Sequence, residues 1–407
     1  MNISQGGESK FSQNYHLVPK EQLYDTGIGK TKLRISLLKE TIYEENRVAL
    51  VPQAVGLLVQ NGHEVLVEQG AGEKAHFPDI KYSELGAIII NNREELFKSN
   101  IILKVAPLSS DEILLLNSGQ IIFSALQTSI QNHEYFRNLQ AKRVTALAYE
   151  HIMDKTGTYP MVRSISEIAG NTAILIAAEY ISNHHYGKGL MLGGISGITP
   201  TEIVIIGAGT VGEFAARAAI GLGALVKVFD NSVYKLRRLS NNLNERIYSS
   251  IIQPKVMAEA LRTADVVIGA VHTTESRTPI IVSEEMVSHM KFGSVIIDVS
   301  IDQGGCFETS RTTTHANPVF TKYNVTHYCV PNISSRVPHT ASYAISNFIA
   351  PILLKISEKP SLESLINQDY GIRKGVYFYK GILCSKTIGD LFNMPYQDID
   401  LLMAAFH

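Results

Sequence analysis

Tryptophan is absent from the 407 residues, and cysteine occurs three times, at Cys306, Cys329 and Cys384. Thiols so few and so scattered supply neither a disulfide framework nor the ligand spacing of a zinc site. They read as reduced, buried side chains, the pattern of a cytoplasmic protein. An excess of either charge is also missing. Lys and Arg total 37, Asp and Glu 38, and the formal net charge is -1. Nucleic acid or an anionic membrane surface normally demands a basic patch, so neither is an expected partner. No apolar run approaches the roughly 18 residues of a transmembrane helix. The most apolar windows are interrupted by Lys104, Asp111 and Asn117, or by glycines. Met1 to Thr31 is polar and mixed, without the positive start and apolar core of a signal peptide. It reads as a flexible extension. The histidines lack metal spacing, and the adjacent His184 and His185 cannot both reach one ion from a helix face, so no metal is expected.

What is present is ordinary globular material, 45% hydrophobic and 18% charged, enough for two or three domains with sizeable cores. From Lys32 onward strands and helices alternate. Strands are expected at Leu33–Leu38, Glu64–Glu68, Ile101–Val105, Ile121–Leu126 and Val144–Tyr149, with a helix opened by Pro52 and closed by Gly62. That alternation predicts a parallel sheet. A helix follows from Ser166 to about Ser182. A second series then has continuous apolar runs at Ile203–Ile206, Leu225–Phe229, Asp265–Ala270, Val295–Val299 and Thr326–Val330, as strands covered on both faces require. Asn332 to Pro338 reads as loop, Ala341 to about Ile356 as helix, and the tail as mostly helix with loop. The expected class is α/β, with two Rossmann-like doubly wound domains. Residues 1–31 form an extension, 32–160 plus 339–407 a discontinuous substrate domain, and 161–338 an inserted nucleotide-binding domain.

The most specific motif is Gly207-Ala-Gly209-Thr-Val-Gly212, directly after the apolar run ending at Ile206. A lone GxGxxG says little. Here it follows a strand, opens a helix rich in small residues, and precedes a second strand that ends in Asp230, 18 positions beyond Gly212. Gly207 permits the tight turn, Gly209 admits a pyrophosphate close to the backbone, and Gly212 lets helix and strand approach. The free N–H groups and dipole of the helix start favour a diphosphate. Asp230 is suited to the adenosine ribose hydroxyls and repels a 2′-phosphate, which points to NAD, although Lys235, Arg237 and Arg238 just downstream would attract one. The run Asp298-Val-Ser-Ile-Asp302-Gln-Gly-Gly-Cys306 lies at the carboxyl end of another apolar run, where open α/β sheets place ligands. Asp302 is its candidate polar partner for nicotinamide ribose or substrate. Arg47, between a strand and a helix start, is placed to clamp a carboxylate through two N–H groups.

Together these pieces resemble the alanine dehydrogenase and pyridine-nucleotide transhydrogenase family, from about Leu33 to the end of the chain. The resemblance is carried by Asn46-Arg-Val-Ala-Leu-Val-Pro52, Gly62-His-Glu-Val-Leu66, Gly70-Ala-Gly72, Ser166-Glu-Ile-Ala-Gly170, Met191-Leu-Gly-Gly194, the glycine loop, Ile301-Asp-Gln-Gly-Gly-Cys-Phe-Glu308 and Ser342-Tyr-Ala344. The run from Ile301 looks more like alanine dehydrogenase. The resemblance implies oxidation of L-alanine by NAD to pyruvate, ammonium and NADH, in a homo-oligomer, dimer or hexamer. It implies that Arg47 holds the substrate carboxylate and that Asp302 sits beside substrate and nicotinamide. It places Glu150 near the substrate. Ser166, Gly207, Gly209, Gly212, Asp230, Lys235, Val271, Asn332 and Ile333 would line the NAD site.

Two positions depart from the family pattern. Where alanine dehydrogenases carry a second lysine, in a Lys-Val-Lys-Glu-Pro-like segment, this chain reads Lys104-Val-Ala106-Pro107. That version is closer to the transhydrogenase subunit. Where the family carries a catalytic histidine, this chain has Gln127. A histidine exchanges protons near neutral pH, whereas a glutamine only hydrogen-bonds. Lys104, two residues before Ala106 and on the same side of an extended strand, is a candidate substitute, as are Asp302 and Glu150 through water. Besides the amino-acid dehydrogenase, three readings stay open: a dehydrogenase acting on another carboxylate substrate, a transhydrogenase-like NAD(H)-binding subunit, and an NAD-binding regulatory protein without turnover.

Overall fold

The computed structural model describes residues 31–42, 44–273, 277–359 and 361–405. The expected N-terminal extension lies outside the described residues, apart from Thr31. Among the described residues no helix is long and apolar enough to cross a membrane.

Six strands rise in the first part of the chain: β1 (Arg34–Leu37), β2 (Glu64–Glu68), β3 (Ile88–Ile90), β4 (Ile101–Leu103), β5 (Ile121–Ser124) and β6 (Thr145–Ala148). Seven follow the helix Pro160–Ser182: β7 (Glu202–Ile206), β8 (Leu225–Phe229), β9 (Tyr248–Ser250), β10 (Val266–Gly269), β11 (Val295–Asp298), β12 (Val319–Lys322) and β13 (Val325–Tyr328). Two close the chain, β14 (Val376–Tyr379) and β15 (Ile382–Leu383). They form two sheets. The first runs β15-β14-β6-β5-β4-β1-β2-β3, the second β12-β13-β11-β10-β7-β8-β9.

Both sheets are parallel in their centres, and antiparallel strands close one side of each. β12 pairs antiparallel with β13, and β14 pairs antiparallel with β6 and β15. The expected parallel sheet of the first region holds through β1–β6, and the expectation of a tail without strands is corrected, since the tail adds β14 and β15 antiparallel to it. Val376–Tyr379 is a buried aromatic strand whose register against β6 shifts between Val376 and Phe378. Only two of its residues hold aligned partners on β6, so it is too short to show a period. The second sheet matches its apolar runs closely, because β10 and β11 are buried on every residue.

The helix Pro160–Ser182 begins six residues before the expected Ser166, with Pro160 in its first turn. Proline loses nothing there, since that N–H has no partner within a helix. Its small residues are explained by packing. A Cβ on Gly170 would lie 2.4 Å from the carbonyl of Val211 and 2.9 Å from the amide of Ala215. Glycine therefore lets this helix meet the helix Thr210–Gly221 backbone to backbone. The helix Pro338–Glu358 likewise opens on a proline, three residues before the expected Ala341. It is sewn to the Asn46–Pro52 segment by serines: Ser342 Oγ accepts from the Val48 amide at 2.9 Å and Ser346 Oγ from the Val51 amide at 3.1 Å.

In the second sheet the strand order reverses direction between β7 and β10. Such a switch point opens a crevice at the carboxyl ends of the strands, and Gly207 and Ala270 stand at its two lips.

Candidate active site

A cavity of about 480 Å³ occupies that crevice. Gly207, Gly209, Asp230 and Lys235 line one part of it. Ser166, Val271, Asp302, Asn332 and Ile333 line the rest, so nine of the ten residues expected to hold NAD share one wall. Gly212, the tenth, lies beneath it. Gly207 has φ +111°, and a Cβ there would stand 2.3 Å from the Ala270 carbonyl. Gly209 has open space around its missing Cβ. A Cβ on Gly212 would stand 1.9 Å from the Gly207 carbonyl. The three glycines thus serve turn, approach and packing in that order. Gly209 caps the helix Thr210–Gly221 without a side-chain bond, which leaves the first N–H groups to face the cavity.

Asp230, at the end of β8, accepts from the Ala208 amide at 2.8 Å and the Ser232 amide at 2.7 Å. It braces the glycine loop and still presents lone pairs to a diol. The residues present fit a dinucleotide: a Cβ-free cradle at a helix start for the diphosphate, and a carboxylate one strand away for the ribose.

The loop after β11 carries Asp302. Its foundation is Asp298, which is buried and accepts from the amides of Ser300 and Cys306 at 3.1 Å each and from Ser310 Oγ at 2.7 Å. Burial pushes the Asp298 carboxyl up to about 6, and those hydrogen bonds restrain the rise. Glycine is required beside it, because a Cβ on Gly305 would stand 2.6 Å from Asp298 Oδ2. Asp302 opens onto the cavity and accepts from the Asn332 amide at 2.8 Å. The protein around it disfavours its charge and raises its pKa; the Asn332 amide, Arg47 and His272 pull it back.

Arg47 approaches Asp302 from the first domain and is almost fully buried. Its Nε donates to Glu45 Oε1 at 2.7 Å, its Nη2 to Glu45 Oε2 at 2.6 Å and its Nη1 to Ser334 Oγ at 3.0 Å. Burial works against the guanidinium charge, but Glu45 overrides it and holds the pKa above its ordinary value. A guanidinium has five N–H groups. Those bonds leave its Nη1 and Nη2 one N–H each, the pair that grips a carboxylate end-on. Asn332, with a left-handed φ of 54°, joins the halves: its amide serves Asp302 and its Nδ2 donates to Glu45 Oε2 at 2.9 Å.

The remaining candidates are placed differently. β4 ends at Leu103, so Lys104 and Ala106 do not share the face of a strand. Lys104 is 0% exposed, and its ammonium donates to Glu112 Oε2 at 2.7 Å. Glu112 also takes Arg93 at 2.9 Å, and Arg93 takes Glu68 at 2.7 Å. Lys104 is therefore locked in an ionic network and does not line the cavity. Ala106 is buried, with its amide 3.3 Å from Glu40 Oε2. Gln127 is exposed in a left-handed conformation. Glu150 accepts from the amides of Leu126 at 2.7 Å and Gln127 at 3.3 Å, and its Oε2 is buried without a partner.

Several residues that sequence reasoning passed over stand in or beside the site. His272, Ser300, Gln303 and Ser334 line the cavity. Glu45 holds Arg47. Glu40, buried beside Lys104, accepts from the Val105 amide at 2.6 Å; burial raises its carboxyl to about 8 despite Lys104. A buried glutamate next to a kept Asn-Arg run was the one available signal for Glu45. His272 could be found from its place, three residues past β10 at the carboxyl edge of the sheet.

Comparison with known proteins agrees with this geometry. Residues 36–169 match the family described as alanine dehydrogenase/PNT, N-terminal domain, and residues 173–386 match its C-terminal domain. An alanine dehydrogenase of Mycolicibacterium smegmatis is 35% identical over 361 residues, 88% of this chain and 97% of that protein. One from Lysinibacillus sphaericus is 36% identical over 373 residues, 91% of this chain and 100% of that protein. A solved L-alanine dehydrogenase superposes with a TM-score of 0.83 at 32% identity, covering 89% of this chain and 99% of that one. A transhydrogenase from Sinorhizobium meliloti shares the fold, with a TM-score of 0.74 at 23% identity over 87% of this chain and 99% of its own. With both domain matches and relatives of this similarity along most of its length, the chain belongs to the alanine dehydrogenase/PNT family.

Proposed function

We propose that the protein is an NAD-dependent amino-acid dehydrogenase that oxidises L-alanine, or a similar small L-amino acid, to the 2-oxo acid and ammonium. The observation that carries this is the hydrogen-bonded chain from Asp302 through Asn332 and Glu45 to Arg47, which ties the buried guanidinium to the Asp302 side of the dinucleotide cavity. Overall, the amino acid, water and NAD⁺ yield the 2-oxo acid, ammonium, NADH and one proton. When bound, NAD supplies the hydride acceptor. Gly207 and Gly209 with the helix start at Thr210 would hold its diphosphate, and Asp230 its adenosine ribose.

The chain's own residues supply orientation and proton handling. Arg47 pairs its two remaining N–H groups with the substrate carboxylate, and Glu45 and Ser334 fix the plane of the guanidinium. Asp302 faces the substrate amine and is held by Asn332. Its raised pKa suits it to taking a proton from the ammonium group before hydride loss. The nucleotide domain is taken as residues 161–338, inserted into a domain of 32–160 plus 339–407. Localisation is taken as cytoplasmic, in keeping with three free cysteines. A homo-oligomer is supported by the exposed apolar side chains Leu175, Met191 and Ile198.

Ala106 and Gln127 favour a second reading, an NAD-binding subunit or regulator without turnover. Calorimetry with NAD, run beside NADH formation from a panel of L-amino and 2-hydroxy acids at alkaline pH, separates the two. Turnover with alanine is expected; NAD binding with no turnover on any substrate sinks the dehydrogenase.

A further inference from the structure

Oxidising an amine moves protons as well as a hydride. The ammonium group must first lose a proton. Water then adds to the imine carbon and loses another, and the departing nitrogen regains one to leave as ammonia. Each proton that Asp302 takes must reach bulk water before the next turnover.

Among the described residues, His272 is the one histidine that lines the cavity. It is exposed to solvent, three residues beyond β10. The backbone on both sides of it is pinned to the loop that bears Asp302. The Val271 amide donates to Ser300 Oγ at 2.9 Å. The Thr273 amide donates to Gln303 Oε1 at 3.2 Å, and Gln303 Nε2 returns a bond to the Thr273 carbonyl at 3.1 Å. Residues 300 and 303 bracket Asp302, so residues 271 to 273 and 300 to 303 form one cross-braced unit. The imidazole charge acts on the Asp302 carboxyl. Among the described residues, other charged groups around this unit include Asp298, which accepts from the Ser300 amide, Arg47, across the domain boundary, and Arg277, whose side chain packs over Gly304.

We propose that His272 is the proton relay of this site, passing between Asp302 and bulk water the protons that amine oxidation releases. The inference rests on the dehydrogenase reading. It gives this chain an imidazole at the cavity where Gln127 offers only an amide. Each step balances: Asp302 takes a proton from the substrate nitrogen, hands it to the neutral imidazole, and the imidazolium releases it to water or buffer. No further oxidant or co-reactant is involved.

The test compares wild type with His272→Gln in the full-length protein. The variant is expected to keep its NAD affinity by calorimetry within about twofold. Its turnover in weak buffer near neutral pH is expected to fall at least tenfold, toward the low end of the roughly 10²–10⁴ of a positioned acid/base group. Added imidazole should restore much of it. A His272→Gln turnover and pH profile equal to wild type overturns the relay. So does a loss of turnover without imidazole rescue that tracks a loss of NAD affinity, since that describes a cofactor contact. Nuclear magnetic resonance of the His272 ring, in wild type and Asp302→Asn, gives a readout independent of activity. Its pKa should drop when the Asp302 charge is removed, and an unchanged value overturns the pairing. A wild-type protein that binds NAD but oxidises no amino acid overturns the proposed function itself. Wild-type turnover with an indifferent His272→Gln overturns the relay alone.

Discussion

The two halves of this molecule differ in how tightly chemistry constrains them. In the nucleotide half, recognition runs through backbone. Gly207, Gly209 and Gly212 have no side chains to vary: turn geometry closes Gly207 and packing closes Gly212 to larger residues, and Gly209 keeps the open space that a diphosphate would take. In the substrate half, recognition runs through side chains on loops after β1, β4 and β5, where one residue can be exchanged without moving the fold. Arg47 stands there as the resemblance expects, held by Glu45, while Ala106 and Gln127 stand where it puts a lysine and a histidine. A backbone site survives or fails as a unit, whereas a side-chain site can lose single groups.

The largest effect should come from restoring those groups. Ala106→Lys with Gln127→His is expected to raise turnover on alanine, within the roughly 10²–10⁴ that an acid/base group contributes. The left-handed backbone at residue 127 accepts histidine more readily than most residues. Steady-state NADH formation measures the gain. No gain means that proton transfer does not limit this enzyme and that the contrast between the halves is one of residues only. Next in size is Lys104→Ala. Its partner Glu112, 0% exposed, would keep Arg93 and lose the ammonium, at a cost of at most about 3–5 kcal/mol in stability. Lys104→Met fills the same volume and should be milder. Urea unfolding of both checks this, and a Lys104→Met enzyme with normal folding and abolished turnover would return Lys104 to the chemistry.

Legibility in the sequence follows the same division. The strands of the second sheet could be read because both faces are covered, so Ile203–Ile206 and Val295–Ile297 are unbroken apolar runs. The glycine loop and Asp230 could be read because their spacing is set by one strand, one helix and the next strand. The helix at Pro160 began earlier than its apolar pattern, since Met161 is the one buried residue before Ala169. β14 was hidden because an aromatic strand of four residues has too few positions to show a period. Lys104 misled because i, i+2 geometry presumes a strand, and the strand stops one residue short of it. His272 had only its place at the carboxyl edge after β10 as a signal, because nothing in a linear sequence says that this loop will be pinned to the loop after β11.

In the substrate half, Glu40 predicts a pH dependence. Burial raises its carboxyl from an ordinary 4.5 to about 8, so in that window the folded chain holds a proton that the unfolded chain has released. The stability this confers is complete below about pH 4.5 and is lost as pH rises through about 8. Each displaced unit is worth about 1.4 kcal/mol. Glu40→Gln should flatten the difference between the two unfolding midpoints plotted from pH 5 to 9. Equal slopes for variant and wild type would mean that Lys104 keeps Glu40 ionised.

Gly212→Ala probes the opposite half with a smaller change. The added methyl would stand 1.9 Å from the Gly207 carbonyl and 3.4 Å from Ile205 Cγ2, so relief must come from backbone. Moving the helix Thr210–Gly221 away from β7 withdraws its first N–H groups from the place a diphosphate would occupy. Overpacking of this kind costs about 1–3 kcal/mol, equivalent to roughly 5–150-fold in NAD affinity if all of it falls on the bound state. Calorimetric titration of the variant with NAD and with ADP-ribose, which shares the diphosphate and lacks nicotinamide, should show the same loss for both. A loss confined to NAD would place the damage at the Asp302 end and break the assignment of a backbone cradle to Gly207–Gly212. Equal affinity for variant and wild type would mean that the loop yields freely, and that the contrast between a rigid cofactor half and an exchangeable substrate half does not hold.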